Sequence, residues 1–335
     1  MHDLVCVVHV HSTHSDGSGS VPQIARAAQR AGIDVVLLTD HDTLAAKREG
    51  EERWYENVLV LVGEEVSPTD RDHFLAFGID QEISRRLTGP EICEAVNAAG
   101  GFGFAAHPFS RGSERFKRPG IVFGEPDCLE GIELWSFLND TGERVRGFRD
   151  LARMILAPQR AIGGPPEGNL SEWDRLCQAR RVVAIGGLDA HQFGIRIAGH
   201  VPLRLMGYRR AFKQLHTHVL VDEPLTRELE HDRTLVYEAL RQGRCYIAND
   251  EVADARGFAV SNMGEELGFE SGRELLITTP QRAHIRLLRD GERCAEADAP
   301  ELRHSIELPG VYRVEVVLAG RPWIYSNPVY FRAYS

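Results

Sequence analysis

The chain has 335 residues, 43% of them hydrophobic, and 39 Lys and Arg against 49 Asp and Glu give a formal net charge of -10. Length and composition fit a globular fold of one or two domains. No apolar run approaches the ~18 residues of a membrane span, no basic stretch followed by an apolar block marks a signal peptide, and the acidic balance disfavours a general nucleic-acid binder.

The first strand expected is Leu4–Val8, followed by a helix over Val21–Ala31 that stops near Gly32. Strands follow at Asp34–Leu38, Val58–Val62 and Phe74–Gly78. A helix over Thr88–Ala99 has Pro90 near its start and Gly100-Gly101 as its stop. Further strands fall at Gly103–Ala106, Gly131–Trp135 and Val182–Ile185, and a helix at Leu235–Arg241 leads into Cys245–Ala248. This alternation predicts parallel strands in an α/β fold. From about Arg256 the texture changes to short strands separated by Gly, Pro and Asp-Gly turns: Glu274–Thr278, His284–Leu288, Leu302–Leu308, Tyr312–Leu318 and Pro328–Phe331. The expected division is residues 1–255 as an α/β barrel and 256–335 as a small all-β domain.

Six cysteines, Cys6, Cys93, Cys128, Cys177, Cys245 and Cys294, lie far apart with no CxxC pair. A thiolate zinc ribbon and a disulfide framework are therefore not expected; free thiols in a reducing cytoplasm are.

Polar, metal-type residues follow the apolar strands. In His9-Val10-His11, residues i and i+2 of a strand share a face and can grip one ion, and Asp16 follows in a Ser/Gly turn. Asp40-His41 follows Val35–Leu38; Glu64-Glu65 and then His73 follow Val58–Val62; His107 follows Ala105-Ala106; Asp189 and His191 follow Gly186-Gly187. A barrel gathers all its strand ends at one face, where an open sheet spreads them along a line, so the pattern favours a barrel. The expected ligands are His9, His11, Asp16, His41, Glu65, His73, His107, Asp189 and His191. Imidazole with carboxylate suits Zn, Mn or Fe better than Ca or Mg. Nine ligands exceed the needs of one tetrahedral ion, which implies two or three divalent transition-metal ions.

HVHSTHSDG, TDHD, GEEVS, HFLAFGI, AHP and LDAH, in this order and spacing, resemble the PHP (polymerase and histidinol phosphatase) superfamily across roughly residues 4–192. The resemblance implies a distorted seven-stranded β/α (TIM-like) barrel with a di- or trinuclear site, and its G-x-E pattern selects Glu65 over Glu64. The segment Arg321–Pro328 and Trp173–Leu176 are similar to the CehA/McbA-like branch, which contains phosphoesterases and a carbamate hydrolase. Gly187-Leu188 stands where that pattern has Gly-Ser.

The activity expected is hydrolysis of a phosphomonoester of a small molecule or nucleotide by a metal-activated hydroxide. The alternatives are a carbamate, amide or carboxylic ester hydrolase at the same metals, or a non-catalytic metal-binding module. Asp40 and Asp189 are candidates to move protons. Arg111, Arg196 and Arg209, in two basic stretches, are candidates to hold phosphate. His216 and His218 are further candidates to touch the site. The partner implied is a phosphorylated small molecule; no membrane or nucleic acid is expected, and a homo-oligomer is compatible.

Overall fold

The computed structural model describes residues 1–68, 73–110, 128–157, 162–192, 194–197, 200–204 and 206–333, the side chains of 148, 151, 155, 194–197 and 200–204 excepted. In chain order the elements are β1 (His2–Val10), α1 (Val21–Ala31), β2 (Val35–His41), α2 (Ala45–Arg48), β3 (Arg53–Tyr55), β4 (Val58–Val66), β5 (Phe74–Phe77), α3 (Gly89–Ala98), β6 (Phe102–Ala105) and β7 (Gly131–Ser136). They continue with α4 (Phe137–Glu143), α5 (Phe148–Leu156), α6 (Glu167–Ala179), β8 (Val183–Gly187), β9 (Gly194–Ile197), β10 (His200–Arg204), α7 (Tyr208–Ala211), β11 (His216–Val221), α8 (Leu229–Arg241) and β12 (Cys245–Ala248). No helix of the described residues is long and apolar enough to cross a membrane.

Local signals set these boundaries. Ser20 precedes α1 and pairs with Gln23 in a capping box, and Gly32 ends the helix at φ 79°. Glu91 likewise accepts from Thr88 N at 2.8 Å at the start of α3.

The pairing order is β11–β1–β2–β4–β5–β6–β7–β8. β1–β2, β2–β4, β6–β7 and β7–β8 are parallel; β1–β11, β4–β5 and β5–β6 are antiparallel. The strands bury both faces. Cys6 and Val8 join one cluster with Leu37, Leu61, Phe104, Ile185 and α8. Val5 and Val7 join another with Ile24 and Ala28 of α1 and Ile92 of α3. Near-continuous apolar runs such as Val58–Val62 are the sequence form of such two-sided burial.

The closed seven-stranded barrel expected from the strand ends needs correction, because no strand ladder joins β8 to β1. β11 occupies the first part of that edge of β1, from His2 to Cys6. Beyond it, an isolated bridge between Val10 and Ala190 and a few backbone hydrogen bonds from the residues after β8 connect the two sides. The fold is a mixed α/β fold built on a large sheet that, among the described residues, no strand ladder closes.

From residue 259 the chain forms β13 (Ala259–Val260), β14 (Glu266–Gly268), β15 (Arg273–Arg289), β16 (Glu292–Ile306), β17 (Gly310–Leu318), β18 (Arg321–Ser326) and β19 (Val329–Arg332). Phe258, Leu275, Ile285, Val314, Trp323 and Val329 form a third core that includes Leu220 and Tyr246 of β11 and β12. β18 pairs antiparallel with β12, so this region continues the same sheet. The two strands expected at Glu274–Thr278 and His284–Leu288 are one strand, β15, with a register break between Thr278 and Ala283.

The expectation of six free thiols is also corrected: Cys93 of α3 and Cys128 are disulfide-bonded, with Cα atoms 5.9 Å apart. No CxxC spacing marks this pair; the fold brings together residues 35 apart.

Candidate metal centre

All nine expected ligands lie together at the ends of β1, β2, β4, β5, β6 and β8. Glu65, almost fully buried at the end of β4, is their hub. Its Oε2 lies 3.0 Å from His9 Nε2, 3.2 Å from His11 Nε2 and 3.2 Å from His41 Nδ1. Its Oε1 lies 2.8 Å from His73 Nδ1 and 3.5 Å from His107 Nε2. The two oxygens thus face two different sets of imidazoles. Glu64 turns the other way and accepts from Ile83 N at 3.0 Å, as strand alternation requires.

A second focus lies at the mouth. Asp16 Oδ1 is 3.1 Å from His191 Nε2 and 3.8 Å from both His11 Nδ1 and His41 Nε2, and its side chain is 58% exposed. Asp189 Oδ1 lies 3.3 to 3.6 Å from His191, His11 and His9. Asn139 Nδ2 donates to Asp189 Oδ2 at 3.0 Å and leaves Oδ1 to the histidines.

The i, i+2 argument for His9 and His11 is modified by the backbone. β1 has a register shift between Val8 and Val10, and His9 sits in the left-handed region at φ 64°. Asp189 (φ 51°) and His107 (φ 34°) are also left-handed. Non-glycine residues seldom adopt this region, and such strain gathers at functional sites, where it aims side chains that a regular strand would not.

Sequence reasoning missed Glu133. Both its oxygens meet His9 Nδ1, at 3.1 and 3.2 Å, and Oε2 accepts from His107 N at 2.8 Å. It fixes the ring so that Nε2 faces Glu65 and Asp189, the arrangement by which a carboxylate orients a metal-binding histidine. A Cβ on Gly187 would overlap this carboxylate, so the glycine is required there. The signal was available: a lone Glu in the apolar strand Gly131–Trp135 is a buried charge needing a partner.

Asp40 is buried, and both its oxygens serve the loop after β1. Oδ1 accepts from Ser12 N at 2.7 Å and Ser15 Oγ at 2.6 Å, and Oδ2 from Ser12 Oγ at 2.6 Å. Tyr208 of α7 donates to His11 O at 2.7 Å from the other side. Arg209 lies beside Tyr208 and is exposed. Arg111 and the side chain of Arg196 lie outside the described residues. His216 and His218 are not brought to the site. They meet Asp250 at 2.7 and 2.9 Å, and His218 also meets Asp3 at 2.8 Å.

The electrostatics call for a cation. Burial works against charge on every group, yet the flanking histidines hold Glu65 and Asp189 well below the carboxylate range, and Asp16 is pulled down to about 2. Burial opposes protonation of His11, but Asp189 and Glu65 outweigh it and raise its pKa to about 9. Both ring nitrogens of His11 and Nδ1 of His107 are buried without a hydrogen bond. Buried donors and acceptors are rarely left so. Ring nitrogens set among carboxylates, once free of their protons, suit a divalent cation bound by nitrogen and oxygen.

No protein-family model matches the chain. An uncharacterised protein of Methanocaldococcus jannaschii, MJ1587, is 27% identical over 115 residues, covering 31% of this chain and 67% of that protein. The phosphoribosyl 1,2-cyclic phosphate 1,2-diphosphodiesterase of Eggerthella lenta is 39% identical over 82 residues, covering 22% of this chain and 30% of that enzyme. A crystallised two-domain protein of Bacteroides vulgatus, containing a predicted PHP-like metal-dependent phosphoesterase, aligns over 98% of this chain and 95% of its own, at 17% identity and a TM-score of 0.47.

Proposed function

We propose that this chain, a metal-dependent hydrolase of the PHP superfamily, cleaves a phosphomonoester of a small molecule or nucleotide at a di- or trinuclear centre of Zn, Mn or Fe. The same reading assigns it to the CehA/McbA-like branch and divides the chain at residues 255 and 256. One observation carries it: Glu65 and eight other donors from six strand ends converge, with both ring nitrogens of His11 buried and without a hydrogen bond. His11, Asp16, His41 and His191 would hold one ion; Glu65, His73 and His107 a second; His9 and Asp189 complete the set.

Ions held there supply a water of lowered pKa and offset charge on the phosphoryl and leaving groups. The protein's own groups do the rest. Glu65 spans the two sets of imidazoles, Glu133 and Asn139 orient His9 and Asp189, and exposed Asp16 stands where substrate enters. Asp189 is the proton-moving residue of this reading. Asp40, engaged by Ser12 and Ser15, shapes the loop that carries Asp16. Arg111, Arg196 and Arg209 are the phosphate-holding residues of this reading.

The test pairs elemental analysis of protein purified without chelator with p-nitrophenyl phosphate turnover. Two or three Mn, Fe or Zn per chain are expected, with turnover lost in His11→Ala. Metal without phosphatase turnover, but with turnover of a carbamate or carboxylic ester, would move the assignment to that reaction. Protein with no bound metal would overturn it.

A further inference from the structure

β8 leads into Asp189 and His191, yet among the described residues one of its edges is paired with no strand. Along a strand the N–H and C=O groups of alternate residues face the same edge. β7 runs parallel along one edge of β8, from Val183 to Gly187. The even-numbered residues face the gap, and each finds a different partner.

Val182 N donates to Tyr330 Oη at 3.1 Å. Ala184 N donates to Asn327 Oδ1 at 2.7 Å, and Asn327 Nδ2 donates back to Ala184 O at 2.9 Å. Gly186 N donates to Thr217 Oγ1 at 2.9 Å, and that hydroxyl returns to Gly186 O at 2.8 Å. Leu188 N and Ala190 N then reach Val8 O and His9 O of β1 at 2.9 and 3.0 Å. Side chains thus replace a strand, until the backbone of β1 takes over beside His9.

The side-chain amide of Asn327 presents one donor group and one acceptor, as a strand peptide does, and it also donates to Cys245 O at 2.9 Å. Asn327 is buried and lies in Arg321–Pro328, the tail segment that the hydrolytic chemistry does not otherwise use.

We propose that Asn327 is a positioning residue of the metal centre: it sets the height of β8 against β1, so that Asp189 and His191 arrive opposite His9 and His11. The β-rich C-terminal region is then a working part of the site. This rests on the metallohydrolase reading given above.

The experiment compares full-length Asn327→Ala with Val316→Ala. Val316 is buried in the C-terminal core, and its truncation weakens that core without touching β8. Both are measured well below their unfolding midpoints, by Mn²⁺ titration and by amide exchange at Leu188 and Ala190. Asn327→Ala is expected to weaken Mn²⁺ binding about 10- to 100-fold, and to speed exchange at both amides about tenfold or more. Val316→Ala should change neither. Wild-type affinity in Asn327→Ala, or an equal loss in Val316→Ala, would overturn the proposal. A wild type that binds no Mn²⁺ would instead fail the metallohydrolase reading. Exchange at Leu188 and Ala190 then decides alone: unchanged protection in Asn327→Ala overturns the positioning role. If Asn327→Ala does not fold, Tyr330→Phe removes a single hydroxyl from the same edge. A smaller shift in the same direction is expected, and none would count against the proposal.

Discussion

A histidine that binds a metal through one nitrogen does so better when its other nitrogen is tied down, and Glu133 ties down His9. Glu133→Gln keeps the shape but offers one acceptor where two N–H groups converge. Metal affinity should fall about 10- to 100-fold with the fold intact, as chelator competition would measure; unchanged affinity would remove Glu133 from the site. His11 predicts a pH dependence. Without metal it holds its proton up to about pH 9, and a protonated imidazole cannot ligate. Each fall in pH below that value therefore favours the proton over the ion. Apparent affinity should decline from pH 9 downward, with protons released on binding, as titration calorimetry in two buffers would show. The nine donors were legible because imidazoles and carboxylates gain nothing from packing at the end of an apolar strand, and here they recur at strand after strand. Glu133 was not, because it sits mid-strand and acts only across the sheet. Asp40 could be seen as buried and strand-terminal, but its service to Ser12 and Ser15 is a matter of loop shape.

At the scale of elements, the loop from Ser12 to Gly19 carries Asp16 to the mouth. It is held by Asp40 beneath and Tyr208 above. Asp40→Ala leaves Ser12 N buried and unpaired, a loss of about 1–3 kcal/mol. Turnover should fall with metal content partly retained, because only the Asp16 and His191 end is loosened. Elemental analysis beside kcat would check this; full metal and full rate would show that the loop stands without Asp40. The bounds of α1 and β12 match expectation because caps and glycine stops are local signals. In the sequence β16 is legible only from Leu302 onward. Its earlier part, Glu292–Ala299, alternates charged residues only with the small Ala295, Ala297 and Ala299, a weak apolar signal, because that part of the strand is mostly exposed and its pairing comes from β15. The edge of β8 was illegible for a related reason: its partners lie 31 to 148 residues away and are side chains.

For the whole molecule, the C-terminal region is tied to the α/β region at several points besides Asn327. Arg313 of β17 is buried and meets Asp174 of α6 through two nitrogens, Nη2 to Oδ2 at 2.8 Å, with Trp173 below the guanidinium. Removing one partner of a buried pair leaves an uncompensated charge. Asp174→Ala should therefore cost about 3–5 kcal/mol, read as a lower urea midpoint. A loss below about 1 kcal/mol would mean that Glu315, also on Arg313 at 2.7 Å, suffices. The β-rich texture after residue 255 was legible, whereas its continuity with β12 was not, since sheet pairing between regions leaves no local mark.

The side-chain closure of β8 also has a consequence in time. Ribosomes deliver the chain from residue 1 onward, and all nine donors have been synthesised by His191. Two of the groups that steady β8, Asn327 and Tyr330, come more than 130 residues later. A nascent chain stalled before Asn327 should carry every ligand and still hold metal poorly, so maturation of the centre waits for the segment around Asn327.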